Sequence, residues 1–263
     1  MSVEQQYRDL LPRVFALYPS LASKRVKETH REVTHVAHGW YMRCHRGVEA
    51  VLQLERTGFQ EEAGPIRRSI VEHVVALKWL AVEGNSVSTV LRRGASHEAG
   101  KRKDALQTAN WTSVDLTDFD AVVDDGKDLD KRQDNLLQFR RRCDEYGTPH
   151  DWASYLTEVA RFHPSWESAV PYFRVDEGSV ILTGGPTERI GQAGFCLIHL
   201  YEALVAFHEI VVDAPLAQEL EQLEREILTL VVQQRRDLGL SIPPELETRA
   251  SELDRDISEE RTG

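Results

Sequence analysis

Gly64-Pro65-Ile66-Arg67-Arg68-Ser69-Ile70-Val71-Glu72-His73-Val74-Val75-Ala76-Leu77-Lys78-Trp79-Leu80-Ala81-Val82 decides the fold of this chain. Proline suits the first turn of a helix, and Gly84-Asn85 provides a stop, so the stretch predicts a helix over about 64–82. From residue 70 onward only Glu72, His73 and Lys78 interrupt an apolar run. Polar groups on such a helix must be solvated, paired or used for chemistry.

Working outward, the same period recurs. Leu10, Leu11, Val14 and Leu17 predict a first helix over 3–17, broken at Pro19-Ser20. Ser20 or Ser23 is the expected cap of a second, long helix reaching Arg56, which Gly58 stops. A fourth helix is expected over 86–108, and helix again over 128–145. Residues 110–126 lack a clean period and read as an exposed loop. Asp151 is the expected cap of a short helix over 152–162, which His163-Pro164 ends. Residues 172–182 predict a small hairpin. Thr187 is the expected cap of an apolar helix to Val212, and Pro215 marks a break. The fold class is therefore all-α, a multi-helix bundle with one small β-hairpin near 172–182. Residues 1–212 would form the bundle domain. Residues 213–243 would add an amphipathic C-terminal helix packed on it. Residues 244–263 would be a charged tail, frayed or disordered.

The chain of 263 residues carries a net charge of −11, and residues 213–263 supply −7 of it. Seven aspartates lie between Asp115 and Asp130. Two segments are basic instead: Arg92, Arg93, Lys101, Arg102 and Lys103, and then Lys131, Arg132, Arg140, Arg141 and Arg142. Overall acidity argues against bulk DNA binding but leaves RNA reachable through these local basic segments. RNA and a second copy of the chain are the candidate partners. The three cysteines are widely spaced, so free thiols in a cytoplasmic setting are expected. The charged N-terminus does not read as a signal peptide, and no apolar stretch reads as a membrane span.

Three sets of residues are candidates for chemistry. Arg68 and Glu72 stand four apart and share a helix face, with His73 beside them. They read either as a phosphate-binding guanidinium next to a titratable base or as a buried ion pair that fixes packing. Tyr155 and His163 stand eight apart, about 12 Å along a helix axis. His163 would sit at a helix end, where the dipole favours its charged form. The third set is the stripe His35, His38, Met42 and His45, in which Glu32 and His35 form one Glu-x-x-His pair. Di-metal helical proteins use that pair twice. Here the other spacing of three, His199 to Glu202, runs in reverse order, so neither metal ligands nor a cofactor are assigned.

Arg68-Ser-Ile-Val-Glu72, followed by Tyr155 and His163-Pro164, resembles a bacterial all-helical family of unknown function over about residues 40–212. That family carries a serine where Val159 stands here. A weaker resemblance, through Arg68 and His73, is to HEPN-type ribonuclease domains, although Ser69 follows the arginine where an Asn, Asp or His is common. The resemblances imply Arg68, Glu72, His73, Tyr155 and His163 as candidate catalytic residues. The family of unknown function implies no activity; the HEPN likeness implies metal-independent RNA cleavage, in phage defence or a toxin–antitoxin role. A ligand sensor or scaffold, and an oxidase with metal at Glu32, His35 and Glu72, are the alternatives. The paired motifs also predict that Arg68 and Glu72 meet His163 across two packed helices.

Overall fold

Ala63, Arg67, Ile70, Val74 and Leu77 repeat at four- and three-residue steps, and all five are buried. The helix Gly64–Glu83 that carries this stripe therefore lies at the centre of a bundle. The computed structural model describes residues 1–22, 25–111, 113–126, 128–131, 133–186, 191–212, 216–244 and 246–249. Within them the helices are α1 (Val3–Ala22), α2 (Thr34–Arg56), α3 (Gly64–Glu83), α4 (Val87–Thr108), α5 (Thr117–Gly126), α6 (Phe139–Tyr146), α7 (Pro149–Phe162), α8 (Trp166–Ala169), α9 (Ala193–His208) and α10 (Ala217–Asp237). One face of α3 packs on α2 and α9, and α6 and α7 pack beside it. The first helix lies on α9 and also receives α10. The core they share includes Tyr41, Val48, Val74, Leu77, Leu197, Leu200 and Leu204.

The expected all-α bundle with one hairpin is what forms. Strands β1 (Phe173–Asp176) and β2 (Ser179–Leu182) pair antiparallel, Phe173 opposite Leu182. Glu177 and Gly178 turn between them with φ of 45° and 80°, the positive values a two-residue hairpin needs. All three cysteines are buried free thiols. No helix of the described residues is long and apolar enough to cross a membrane.

Several boundaries differ from the sequence expectation. Pro12 and Pro19 both lie inside α1. They stand seven apart on its exposed side, so their rings face solvent while Leu11, Val14 and Leu21 stay in the core. The second helix begins at Thr34, without a side-chain cap, rather than near Ser20. The expected loop 110–126 contains α5, which packs on α4. Helix resumes only at Phe139, after a short 3₁₀ turn at Asp134–Leu137, rather than from 128. Thr148, not Asp151, caps α7, and Asp151 completes the capping box from the third position. Ser23, Thr187, Pro215 and residues 250–263 of the tail lie outside the described residues. Within the tail's described part, Arg249 pairs with Glu224 of α10 at 2.8 Å.

One glycine makes a tight approach. Gly84 ends α3 with φ of 58°, and a Cβ there would stand 2.3 Å from the Thr29 carbonyl oxygen. Gly39, inside α2, has nothing within 4 Å of its Cβ position. Gly84→Ala should therefore lose about 2–4 kcal/mol, from left-handed strain and overpacking together. Gly39→Ala should gain about 0.5–1 kcal/mol. Urea melts of the two variants should shift in opposite directions, and equal shifts would contradict this account of the turn.

Candidate functional site

Arg68, Glu72 and Tyr155 come together on the surface where α3 meets α7, while His73, the residue after Glu72 on α3, turns toward Trp40 of α2. Arg68 Nε donates to Glu72 Oε1 at 3.1 Å, and both side chains keep about 30% of their exposure (27% and 31%). The same guanidinium lies 5.1 Å above the Tyr155 ring. Tyr155 belongs to an aromatic cluster that the sequence did not reveal. Phe139 approaches it at 4.2 Å, and Trp152 stacks against it at 5.6 Å with 17° between the ring planes. Arg140 covers Trp152 at 4.2 Å. All three rings are half-buried. The platform forms because α6 and α7 are joined by the tight Gly147-Thr148 turn, which holds Phe139 on one helix beside Trp152 and Tyr155 on the other.

His73 lies one position round from Glu72. Its Nδ1 donates to the Ser69 carbonyl oxygen at 2.6 Å, which leaves the lone pair on Nε2. Burial lowers its pKa, against the opposing pull of the Ser69 contact and Glu72, and the Arg43 and Arg142 charges lower it further. These effects favour the neutral ring, whose Nε2 lone pair can accept a proton. An open groove between α2 and α3, lined by Arg43, Arg46, Pro65, Ile66 and Ser69, runs beside this turn of helix.

His163 is not part of this group. It caps the C-terminal end of α7 with ψ of 149°, is exposed, and sits 5.4 Å from the Phe162 ring. No hydrogen bond or ion pair among the described residues joins it to Glu72, so the expected meeting of Arg68, Glu72 and His163 does not occur. Arg68 reaches α7 at Tyr155, and two further turns of helix, about 12 Å, carry His163 away from that point.

The buried ion pair that the sequence placed at Arg68–Glu72 is formed by the neighbouring arginine. Arg67 NH2 meets Glu158 Oε2 at 2.8 Å, with side-chain exposures of 1% and 7%. Arg67 NH1 donates to the Gln60 carbonyl oxygen at 2.6 Å. Arg68 lies about 100° further round the helix, which brings it to the rim.

A second polar cluster lies deeper, between α3, α7 and α9. Lys78 Nζ meets Asp151 Oδ2 at 3.0 Å and Glu202 Oε2 at 3.2 Å. Asp151 and His199 are fully buried. His199 Nδ1 donates to the Phe195 carbonyl oxygen at 3.0 Å, and the His150 ring lies 5.6 Å away. Burial pushes the Glu202 carboxyl up to about 7, the nearby Lys78 charge only partly opposing it. Burial also pushes His199 down to about 4, with His150 adding to the effect. Asp151 behaves differently: burial acts to raise its pKa, but the Lys78 charge and hydrogen bond outweigh it, so the carboxyl is held below its ordinary value. One ligand atom from each of Asp151, His199 and Glu202 lies within 4.8 Å of the others.

Glu32, His35 and Glu72 form no such group among the described residues. Glu72 is taken by Arg68, and the Glu32 backbone N–H is bonded to Asn85. The histidine stripe of α2 packs against aromatic rings instead: Tyr18 hydrogen-bonds His38 Nε2 at 2.7 Å, and Phe15 meets His45 edge-on at 4.7 Å. The basic segments are largely matched by the aspartates that the sequence set beside them. Arg92 pairs with Asp125, Arg93 with Asp134, Lys103 with Asp120 and Arg140 with Asp144.

A family model described as "Family of unknown function (DUF5677)" matches residues 34–179, which span α2 to the first residue of β2. No curated protein and no solved structure matches the chain.

Proposed function

The chain belongs to the DUF5677 family of unknown function, and we propose that within it the α3–α6–α7 face binds single-stranded RNA and that His73 makes it a metal-independent endoribonuclease. The observation that carries this reading is the aromatic platform of Phe139, Tyr155 and Trp152 with Arg68 and Arg140 lying on its rings. Unpaired bases stack on such rings and on guanidinium planes without needing a fixed sequence. Arg43 and Arg46 in the adjoining groove would follow the phosphates. Arg68 would hold the scissile phosphate, and His73 would take the proton from the attacking 2′-hydroxyl; as the O2′–P bond forms the P–O5′ bond breaks, leaving a 2′,3′-cyclic phosphate, and solvent water protonates the departing 5′-oxygen. This role for Arg68 requires it to leave Glu72, a half-exposed pair of modest strength.

The test is fluorescence anisotropy with a labelled single-stranded RNA, alongside gel-resolved cleavage in a chelating buffer. Trp152→Ala with Tyr155→Ala should weaken binding by about tenfold or more, since each stacked base contributes roughly 1–3 kcal/mol. His73→Ala should bind but not cleave. Failure of the wild type to bind RNA at low salt would reject the reading. A second reading, a non-catalytic sensor or scaffold, is favoured by the fact that each guanidinium already rests on a ring of the chain itself. Binding without cleavage in both wild type and His73→Ala would support that scaffold.

A further inference from the structure

We propose that Asp151, His199 and Glu202 form a binding site for one first-row divalent cation of the zinc, iron(II) or manganese class, separate from the RNA-binding face. One ligand atom from each residue lies within 4.8 Å of the other two. Ligands on a cation about 2.0–2.2 Å away stand roughly 3–4 Å apart, so closing the site asks for only small side-chain movements.

Two orphaned atoms point to a ligand. Asp151 Oδ1 and His199 Nε2 are buried without hydrogen-bond partners, in residues that are 0% exposed. Buried polar atoms are rarely left so. The histidine is prepared for metal in a specific way. Its Nδ1–H is spent on the Phe195 carbonyl oxygen, so Nε2 carries the lone pair and is the nitrogen this ring can offer. Metal-bound histidines are commonly fixed by such a contact to a backbone carbonyl. Asp151 is fixed as well: Oδ2 accepts from the Thr148 backbone N–H at 2.8 Å, the Thr148 hydroxyl at 2.9 Å and Lys78 at 3.0 Å, which leaves Oδ1 free.

The donor set selects the metal class. One imidazole with two carboxylates suits zinc, iron(II) and manganese, whereas calcium and magnesium favour all-oxygen sites. Three protein ligands leave coordination positions open, as in catalytic rather than structural zinc sites. Lys78 and Glu202 keep 21% and 24% of their side-chain exposure, so the site has an opening to solvent. The Lys78 ammonium competes with a metal for Glu202 Oε2. It is also placed to remain on Asp151 Oδ2 while Oδ1 binds, the position of a supporting hydrogen bond.

The test uses the full chain, stripped with a chelator and titrated with Zn²⁺ by calorimetry, with Co²⁺ absorption as a spectroscopic readout. We expect one equivalent of Zn²⁺ and a Co²⁺ ligand-field band. Glu202→Gln should weaken binding at least about tenfold. It keeps a polar partner for Lys78 and carries the test if His199→Gln does not fold. His38→Gln with His45→Gln should leave binding unchanged. The proposal is overturned if the folded wild type binds neither ion saturably, with Lys78 then the resident cation. It is also overturned if Glu202→Gln binds like wild type, or if binding follows the α2 histidines. Because the RNA assay runs in chelator, failure of either site leaves the other standing.

Discussion

Arg67→Ala should destabilise the protein by about 3–5 kcal/mol, because it leaves the Glu158 carboxylate buried without its counter-charge. The Arg67 hydrogen bond to the Gln60 carbonyl oxygen is lost in the same step. For a chain of this size each kcal/mol corresponds to roughly 2–4 °C, so a fall of about 10 °C in melting temperature is expected. Arg68→Ala is the control. Its pair is half-exposed and lies within one helix, so its loss should cost under about 1 kcal/mol, with a similar contribution from the Tyr155 ring. Replacing both buried partners, Arg67→Met with Glu158→Leu, should recover most of the loss, since apolar groups of similar volume need no counter-charge. Calorimetric melts of the four proteins decide it. Equal losses for Arg67→Ala and Arg68→Ala would show that the buried pair does not behave as one.

Adjacent arginines show how far the sequence could be read. It signalled that this turn of α3 carries an ion pair, but it did not say which arginine faces inward. The helical period does answer that: Ala63, Arg67, Ile70, Val74 and Leu77 form one stripe, and Arg68 lies beside it. Helix existence was legible for α3, where period and stop signals agree, and the hairpin was legible from two short apolar runs on either side of a glycine turn. It failed for α5, whose Thr-Asp-Phe-Asp-Ala-Val-Val-Asp-Asp core is too short and too acidic to show a period. That helix is set by tertiary packing on α4, where the Ser96 hydroxyl donates to the Val123 carbonyl oxygen at 2.8 Å and Gly126 lies against Ser96, with the exposed pairs Arg92–Asp125 and Lys103–Asp120 at the rim.

At the sites, Arg68, Glu72, His73 and Tyr155 were legible as polar residues in motifs, and His163 was mistaken for their neighbour. Phe139, Arg140 and Trp152 were not legible, because the turn between α6 and α7 brings them together. The Lys78 cluster left a signal that went unused. Lys78 stands alone on an apolar run, and His199 and Glu202 are the main polar interruptions of α9. A lysine and a glutamate in two such helices need partners, and each can supply the other's. Asp151 was read as a helix cap, which is half of its role, since the oxygen that closes the capping box also receives Lys78.

Lys78→Met should be the other variant of large effect, and its size should depend on pH. In metal-free buffer near pH 7 the substitution leaves the Asp151 carboxylate with 0% exposure and a second carboxylate, Glu202, close by. A loss of about 3–5 kcal/mol is expected. In the wild type the folded pKa of Asp151 is depressed by Lys78. Its stabilising contribution is therefore present above the ordinary carboxylate range and is lost only as pH falls through that range. Without Lys78 the sign reverses. Burial and the neighbouring carboxylate then raise the pKa of the pair, so the folded variant takes up a proton before the unfolded chain does. The wild type also gains over this interval, because Glu202 with its pKa of about 7 takes up a proton, but the variant takes up a further one on Asp151, so its stability rises more steeply as pH falls from about 7 toward 5. The gap between variant and wild type should narrow over that interval in urea melts. A gap of constant width would place the loss in the packing of the lysine stem against α7 and α9, with its charge contributing little.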